Sequence, residues 1–167
     1  LSFEMAVGQA DDPPDRPGLA LLTATSLKLG TQGHESPELL KRQLNSVAGS
    51  WESGLAAGRT RLDLSDVSDW EGALSLGLQV FAEPRFPAGE LLRTRLKLAS
   101  QAAHATEGRD VEDAASLLSP STRRQTDAFT LLSLGQADVR ELHLAAYAAD
   151  RLRVVLTGAL PDPETLD

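Results

Sequence analysis

Apolar residues recur along the chain at two spacings, and each spacing names an element. Ser2–Gly8 alternates Phe3, Met5 and Val7 with small or polar residues, the period of a half-buried strand. The polar, proline-rich stretch Gln9–Arg16 reads as a loop, with Asp11, Asp12 and Asp15 as solvated turn residues. Those acids lack the spacing of a calcium loop. Pro17–Leu29 then reads as an apolar helix entered through Pro-Gly, with Gly30 as its C′ residue. Leu19, Leu22 and Leu27 are available for the core.

Ser36-Pro37-Glu38 is a helix start, with Ser as N-cap and Pro at the first helical position. Leu39, Leu40, Leu44 and Val47 form the stripe behind it. Ser50–Leu55 and Arg59–Ser65 read as a hairpin around Ala57-Gly58, with Leu62 and Leu64 inward and Arg59, Arg61 and Asp63 outward. Ser68-Asp69-Trp70-Glu71 reads as a capping box. The helix behind it carries Ala73, Leu74, Leu76, Leu78, Val80 and Phe81 and ends at Pro84. A long helix is expected over about Pro87–Thr106, then a short one from Asp110 to Leu118 and a loop over Pro120–Thr126.

Asp127–Leu134 fits either period. Ala137–Tyr147 is predicted helical, with Val139, Leu142, Leu144 and Ala145 inward. The run Val154-Val155-Leu156 reads as a central strand, because a continuous apolar run calls for cover on both faces. The order of elements predicts an α+β fold: a small mixed or antiparallel sheet with helices layered on one face. Residues 1–160 read as a single domain and 161–167 as a tail or the start of a linker. Because the sequence begins at Leu1, inside a strand, it is expected to be a piece of a longer protein.

Composition narrows the chemistry. The 167 residues carry 16 basic and 24 acidic side chains, a net charge of −8. That balance argues against nucleic acid as a partner, because phosphate binding needs a basic surface. No apolar run reaches the ~20 residues of a membrane span. The absence of cysteine excludes disulfides, thiol catalysis and Cys-based zinc sites. The basic spots at Arg85, Arg93, Arg95, Lys97 and Arg123-Arg124 could meet an acidic partner, but read first as solvated helix faces.

Several phrases stand in a recognisable order. GLALLTATSLKLGT is followed by SPELLKRQLNSVAGSWES and RTRLDLSDVSDWEGALSL. Then come FAEPRFPAGELLRTR and a D-x-x-x-L-H-x-x-x-Y helix running into LRVVLTGALPDPE. Together these resemble the inverted-zincin metallopeptidases, the family of pitrilysin, insulinase and the mitochondrial processing peptidase. The resemblance extends from Phe3 to Glu164. In that family a helix of the type GLAHFLEHMLFKGT carries an H-x-x-E-H motif, two zinc-ligand histidines flanking a general base. Laid on this chain without a gap, the histidine positions fall on Leu21 and Thr25 and the glutamate position on Ala24. The family's third ligand, a glutamate on the long downstream helix, falls in Lys97–Ala103, which holds no acid.

The resemblance therefore implies a non-catalytic domain, with no catalytic residues and no zinc of its own. Zinc is expected only in an active metallopeptidase subunit, or in an active half of the same polypeptide. With that partner the domain would help to form the chamber of a zinc metalloendopeptidase. A structural or interaction module without a proteolytic role, as in the respiratory-complex core subunits, is the alternative. His34, His104 and His143 lie in three separate elements and read as surface or interface histidines. The strand Ser50–Leu55 corresponds to the edge on which substrate peptides add in active relatives. Trp51 and Ser53 would then flank a bound peptide, although Trp51 reads first as an anchor against a helix.

Overall fold

The computed structural model describes residues 1–107 and 128–158. Its sheet is built outward from the first strand, β1 (Ser2–Met5), where alternation buries Phe3 and Met5 and turns Ser2 and Glu4 the other way. β1 pairs antiparallel on one side with β3 (Arg59–Val67) and on the other with β4 (Leu152–Val155). β2 (Ala48–Ala56) is joined to β3 through the Ala57-Gly58 turn, where both residues have positive φ. The strand order is β2-β3-β1-β4. Register places Ser53, Leu62, Phe3 and Val154 in one row on the core face, and Gly54, Arg61, Glu4 and Arg153 in a polar row on the other.

Six helices complete the described residues: α1 (Leu19–Ser26), α2 (Pro37–Val47), α3 (Trp70–Ala82), α4 (Ala88–Glu107), α5 (Ala128–Ser133) and α6 (Gln136–Ala146). The fold is α+β. α3 lies on the sheet through Gly77: a Cβ there would stand 2.1 Å from the Phe3 ring. One turn further on, Phe81 stacks on Phe3 with centroids 6.1 Å apart. The core gathers these rings with Met5, Val7, Leu19, Leu22, Leu27, Leu40, Leu44, Leu62 and Leu64. Ser36 caps α2 as predicted, its side chain accepting from the Leu39 N–H. Within the ambiguous stretch Asp127–Leu134, Ala128–Ser133 forms α5, and Asp127 falls outside the described residues. Predictions for Asp110–Leu118 and Pro120–Thr126, and the 161–167 tail, fall outside the described residues.

Five expectations are corrected. The Val154 strand is not central: β4 lies at the sheet edge. One side of β1 is taken by β3, to which β2 is already joined, so β4 has only the outer place beside β1. Its Val154 enters the core row while Arg153 stays exposed. Leu144 is 85% exposed and Ala145 is exposed too; the buried stripe of α6 is Val139, Leu142 and Ala146. Asp69, not Ser68, caps α3 by accepting from the Gly72 N–H, and the Ser68 hydroxyl turns to the Val47 carbonyl.

The basic spots are not uniformly solvated. Arg95 donates to the Leu134 carbonyl, and its Nε is buried without a partner. Arg85 pairs with Glu35, and Arg93 with Glu90. Finally, Asp11 and Asp12 are not solvated turn residues. Asp11 pairs with Arg151 at 2.8 Å. Asp12 is only 7% exposed, and its carboxylate accepts from the Gly18 and Ala20 N–H groups at 2.7 and 2.6 Å.

Asp12 thus satisfies the open N-terminus of a helix whose own first residues offer no side-chain cap, and a carboxylate is favoured there by the helix dipole. Asp12→Ala is expected to lower stability by about 2 kcal/mol in urea unfolding, the upper range for a lost cap.

Candidate functional site

α1 is entered by Pro17-Gly18, with Gly18 at φ 91, a conformation glycine adopts without strain. After Ser26 the chain tightens into a 3₁₀ turn over Leu27–Leu29 and stops at Gly30, φ 135. A Cβ at Gly30 would meet the His34 carbonyl at 2.7 Å, so the turn there requires glycine. Thr31 and His34 then exchange backbone hydrogen bonds of 2.8 and 3.1 Å.

Most of this helix and turn is buried. Leu19, Ala20, Leu22, Thr23, Ala24, Ser26, Leu27 and Leu29 all lie inside. The half-buried residues are Leu21, Thr25 and Lys28, at i, i+4 and i+7. They form a single stripe. The aligned ligand positions, Leu21 and Thr25, are therefore on the accessible face, whereas Ala24, the aligned base position, is fully enclosed. Lys28 closes the stripe. Burial pushes its pKa below the usual lysine value, and neighbouring Lys97 of α4 pushes it the same way.

Beside Lys28 runs the outer edge of β2. A cleft of 470 Å³ follows that edge. On the helix-facing side it meets Lys28, Trp51, Ser53 and Leu55. Around the edge it meets Glu52, Arg61 and Asp63 on the polar face. Trp51 is half-buried against the core and its ring N–H donates to Asn45 Oδ1 at 3.0 Å, so it is a rim anchor fixed to α2. The Ser53 hydroxyl is buried without a hydrogen-bond partner. Arg61 is held by Glu4, and Asp63 by the Ser2 hydroxyl.

The histidines do not join this stripe. His34 Nδ1 lies 3.2 Å from Thr31 Oγ1, and His104 is exposed on α4. His143 is not a surface histidine. Its Nε2 lies 2.8 Å from the Phe81 carbonyl, and its ring stacks on Tyr147 and meets Phe86 edge-on. Burial lowers its pKa, against the opposing effect of the Phe81 hydrogen bond. Tyr147, whose hydroxyl is 2.9 Å from Thr60 Oγ1, is pushed up to about 12 by burial. Among the described residues no three His, Asp or Glu side chains gather as a metal-binding group.

Sequence reasoning passed over Lys28, although its i+3 and i+7 spacing from Thr25 and Leu21 placed it on the same stripe. It also missed Asp12, for which the available signal was an acid just ahead of a helix with no cap of its own.

No protein-family model matches the sequence, and no curated protein matches it. Solved structures do. The inactive domain of an M16 peptidase from Pseudomonas fluorescens superposes with a TM-score of 0.73 at 23% identity, over 90% of this chain and 39% of that one. Pitrilysin superposes with a TM-score of 0.74 at 21% identity, over 98% of this chain and 19% of its own. A protease from Helicobacter pylori gives a TM-score of 0.78 at 13% identity, over 99% of this chain and 42% of that one. The chain thus spans less than half the length of each.

Two outcomes follow from the geometry. Ala24→Glu places an acid at a fully enclosed position and is expected to destabilise by about 3 kcal/mol, whereas Thr25→His, on the half-buried stripe, is expected to cost less than about 1 kcal/mol; urea unfolding compares them. His143 has a folded-state pKa below the unfolded value of 6.5. The unfolded chain therefore binds more protons in that range, and the stability is complete above about pH 6.5 and lost as pH falls. His143→Gln is expected to flatten the fall in urea midpoint between about pH 7.5 and pH 5.5.

Sheet order, helix placement and superposition agree: the chain has the inverted-zincin fold of the M16 peptidase domains.

Proposed function

We propose that this chain is a non-catalytic member of the inverted-zincin metallopeptidases, a domain that helps to enclose the substrate of an active zinc-bearing subunit or half. The observation that carries this reading is the α1 stripe. Where the family's motif has ligand, base and ligand, this helix holds Leu21, Ala24 and Thr25, with Ala24 fully enclosed. Chemistry of the H-x-x-E-H type has no residues here to perform it, and Lys97–Ala103 on α4 supplies no acid to replace the third ligand.

The β2 edge supports a retained role in holding peptide. Its cleft sits beside α1, and strand addition draws on backbone groups together with alternate side-chain pockets, neither of which needs zinc. The reading as an interaction module draws on a different observation: Phe129 is 87% exposed and Leu144 85% exposed, and both stand on outer helices.

The test pairs the purified chain with a polypeptide carrying H-x-x-E-H, encoded beside it or in the same reading frame. Alone, the chain is expected to carry no stoichiometric zinc and to leave a quenched fluorescent peptide uncut. Deleting it from the pair is expected to abolish most peptide hydrolysis. Stoichiometric zinc in the isolated chain, lost on replacing His104 or His143, would overturn the reading. Undiminished hydrolysis after deletion would leave the interaction module as the function.

A further inference from the structure

Lys28 is a cation in an unusual position. It is half-buried at the end of the α1 stripe, it lines the cleft along β2, and its electrostatic neighbour is another cation, Lys97. No acid among the described residues pairs with it. A partly desolvated ammonium beside a like charge is stabilised by any carboxylate that enters the cleft. The other cation there, Arg61, is already held by Glu4 on the polar face of the sheet.

The cleft is also two-sided. Trp51, Ser53 and Leu55 share the helix-facing side with Lys28, whereas Glu52 and Asp63 stand opposite one another on the polar face. A strand laid along β2 would send alternate side chains to these two sides. An anionic side chain of one parity would reach Lys28; one residue along, an acid would face Glu52 and be repelled.

We propose that the cleft selects an extended peptide whose carboxylate, from an Asp or Glu side chain or from its own C-terminus, seats against Lys28, with neutral or basic residues at the flanking positions that face Glu52. This rests on the strand-addition reading of the β2 edge and adds to it the class of peptide taken. The net charge of −8 disfavours anionic peptides at long range. That repulsion is screened at about 0.15 M salt far more than a half-buried contact is.

The test uses fluorescence polarisation on the full chain at that salt concentration, with short, labelled, threonine-rich peptides. One has a single central glutamate and an amidated end; the second replaces the glutamate by glutamine; the third has the glutamine and a free C-terminal carboxylate. The glutamate peptide is expected to bind about tenfold tighter than its glutamine counterpart, the scale of a charge-assisted contact. Lys28→Gln is expected to erase that difference, and Lys28→Arg to preserve it. Tighter binding of the third peptide than the second would make the C-terminus a source of the carboxylate. Equal affinity for all three would overturn the acidic preference and leave strand addition standing; no binding by any would overturn both. A glutamate preference that survives Lys28→Gln would overturn the role given to Lys28.

Discussion

Everything around the candidate site depends on one buried carboxylate. Asp12 holds the Gly18 and Ala20 N–H groups, and so fixes where α1 begins and at which rotation it runs. Helix rotation decides which residues reach the accessible stripe: with about 100° per residue, a shift of one position would exchange Leu21 and Thr25 for fully buried neighbours. Arg151 reinforces the same corner, holding Asp11 and the Ala6 carbonyl from just before β4. The loop that carries these acids is therefore a structural part of the site although it lies outside the cleft.

The comparison of α1 with the family's motif then becomes a statement about packing. Leu21 and Thr25 share an accessible face, but Ala24 between them lies fully inside. A catalytic base needs access to water and substrate; an enclosed methyl needs neither and adds to the core. Lys28, two positions before Gly30, supplies positive charge to the same stripe. Along this face the helix offers packing at one end and electrostatics at the other.

Much of the fold was legible because local signals agreed with global ones. Ser36-Pro37 marked α2, Ala57-Gly58 marked the hairpin, and the alternation of Phe3 and Met5 marked β1. What failed were features set by distant residues. The Val154 run looked central because apolar continuity reports burial and not neighbours, and β4's place was decided by β3 occupying the other side of β1. Leu144 looked buried because it is apolar, but the side of α6 facing the core is set by Val139, Leu142 and Ala146. Asp12 and His143 misled for a related reason: their partners, a helix N-terminus and the Phe81 carbonyl, are invisible to a reading of composition. In the site, the shared helix of Leu21, Ala24 and Thr25 could be read from order alone, whereas the cleft beside Lys28 needed the sheet register.

The position of β1 also governs how the chain can assemble. The strand nearest the N-terminus sits inside the sheet, and its two neighbours come from the hairpin in the first half of the chain and from the last described strand. The hairpin is local and can close early, but the second side of β1 stays open until β4 has been made. Pairings of such long sequence separation are slow to form. During synthesis, β1 would therefore present Phe3 and an unpaired edge while α3, with its glycine seat for that ring, is already available to shelter it. The close fit of Phe3 on Gly77 thus has a kinetic side: it gives the waiting strand somewhere to dock before its last partner arrives.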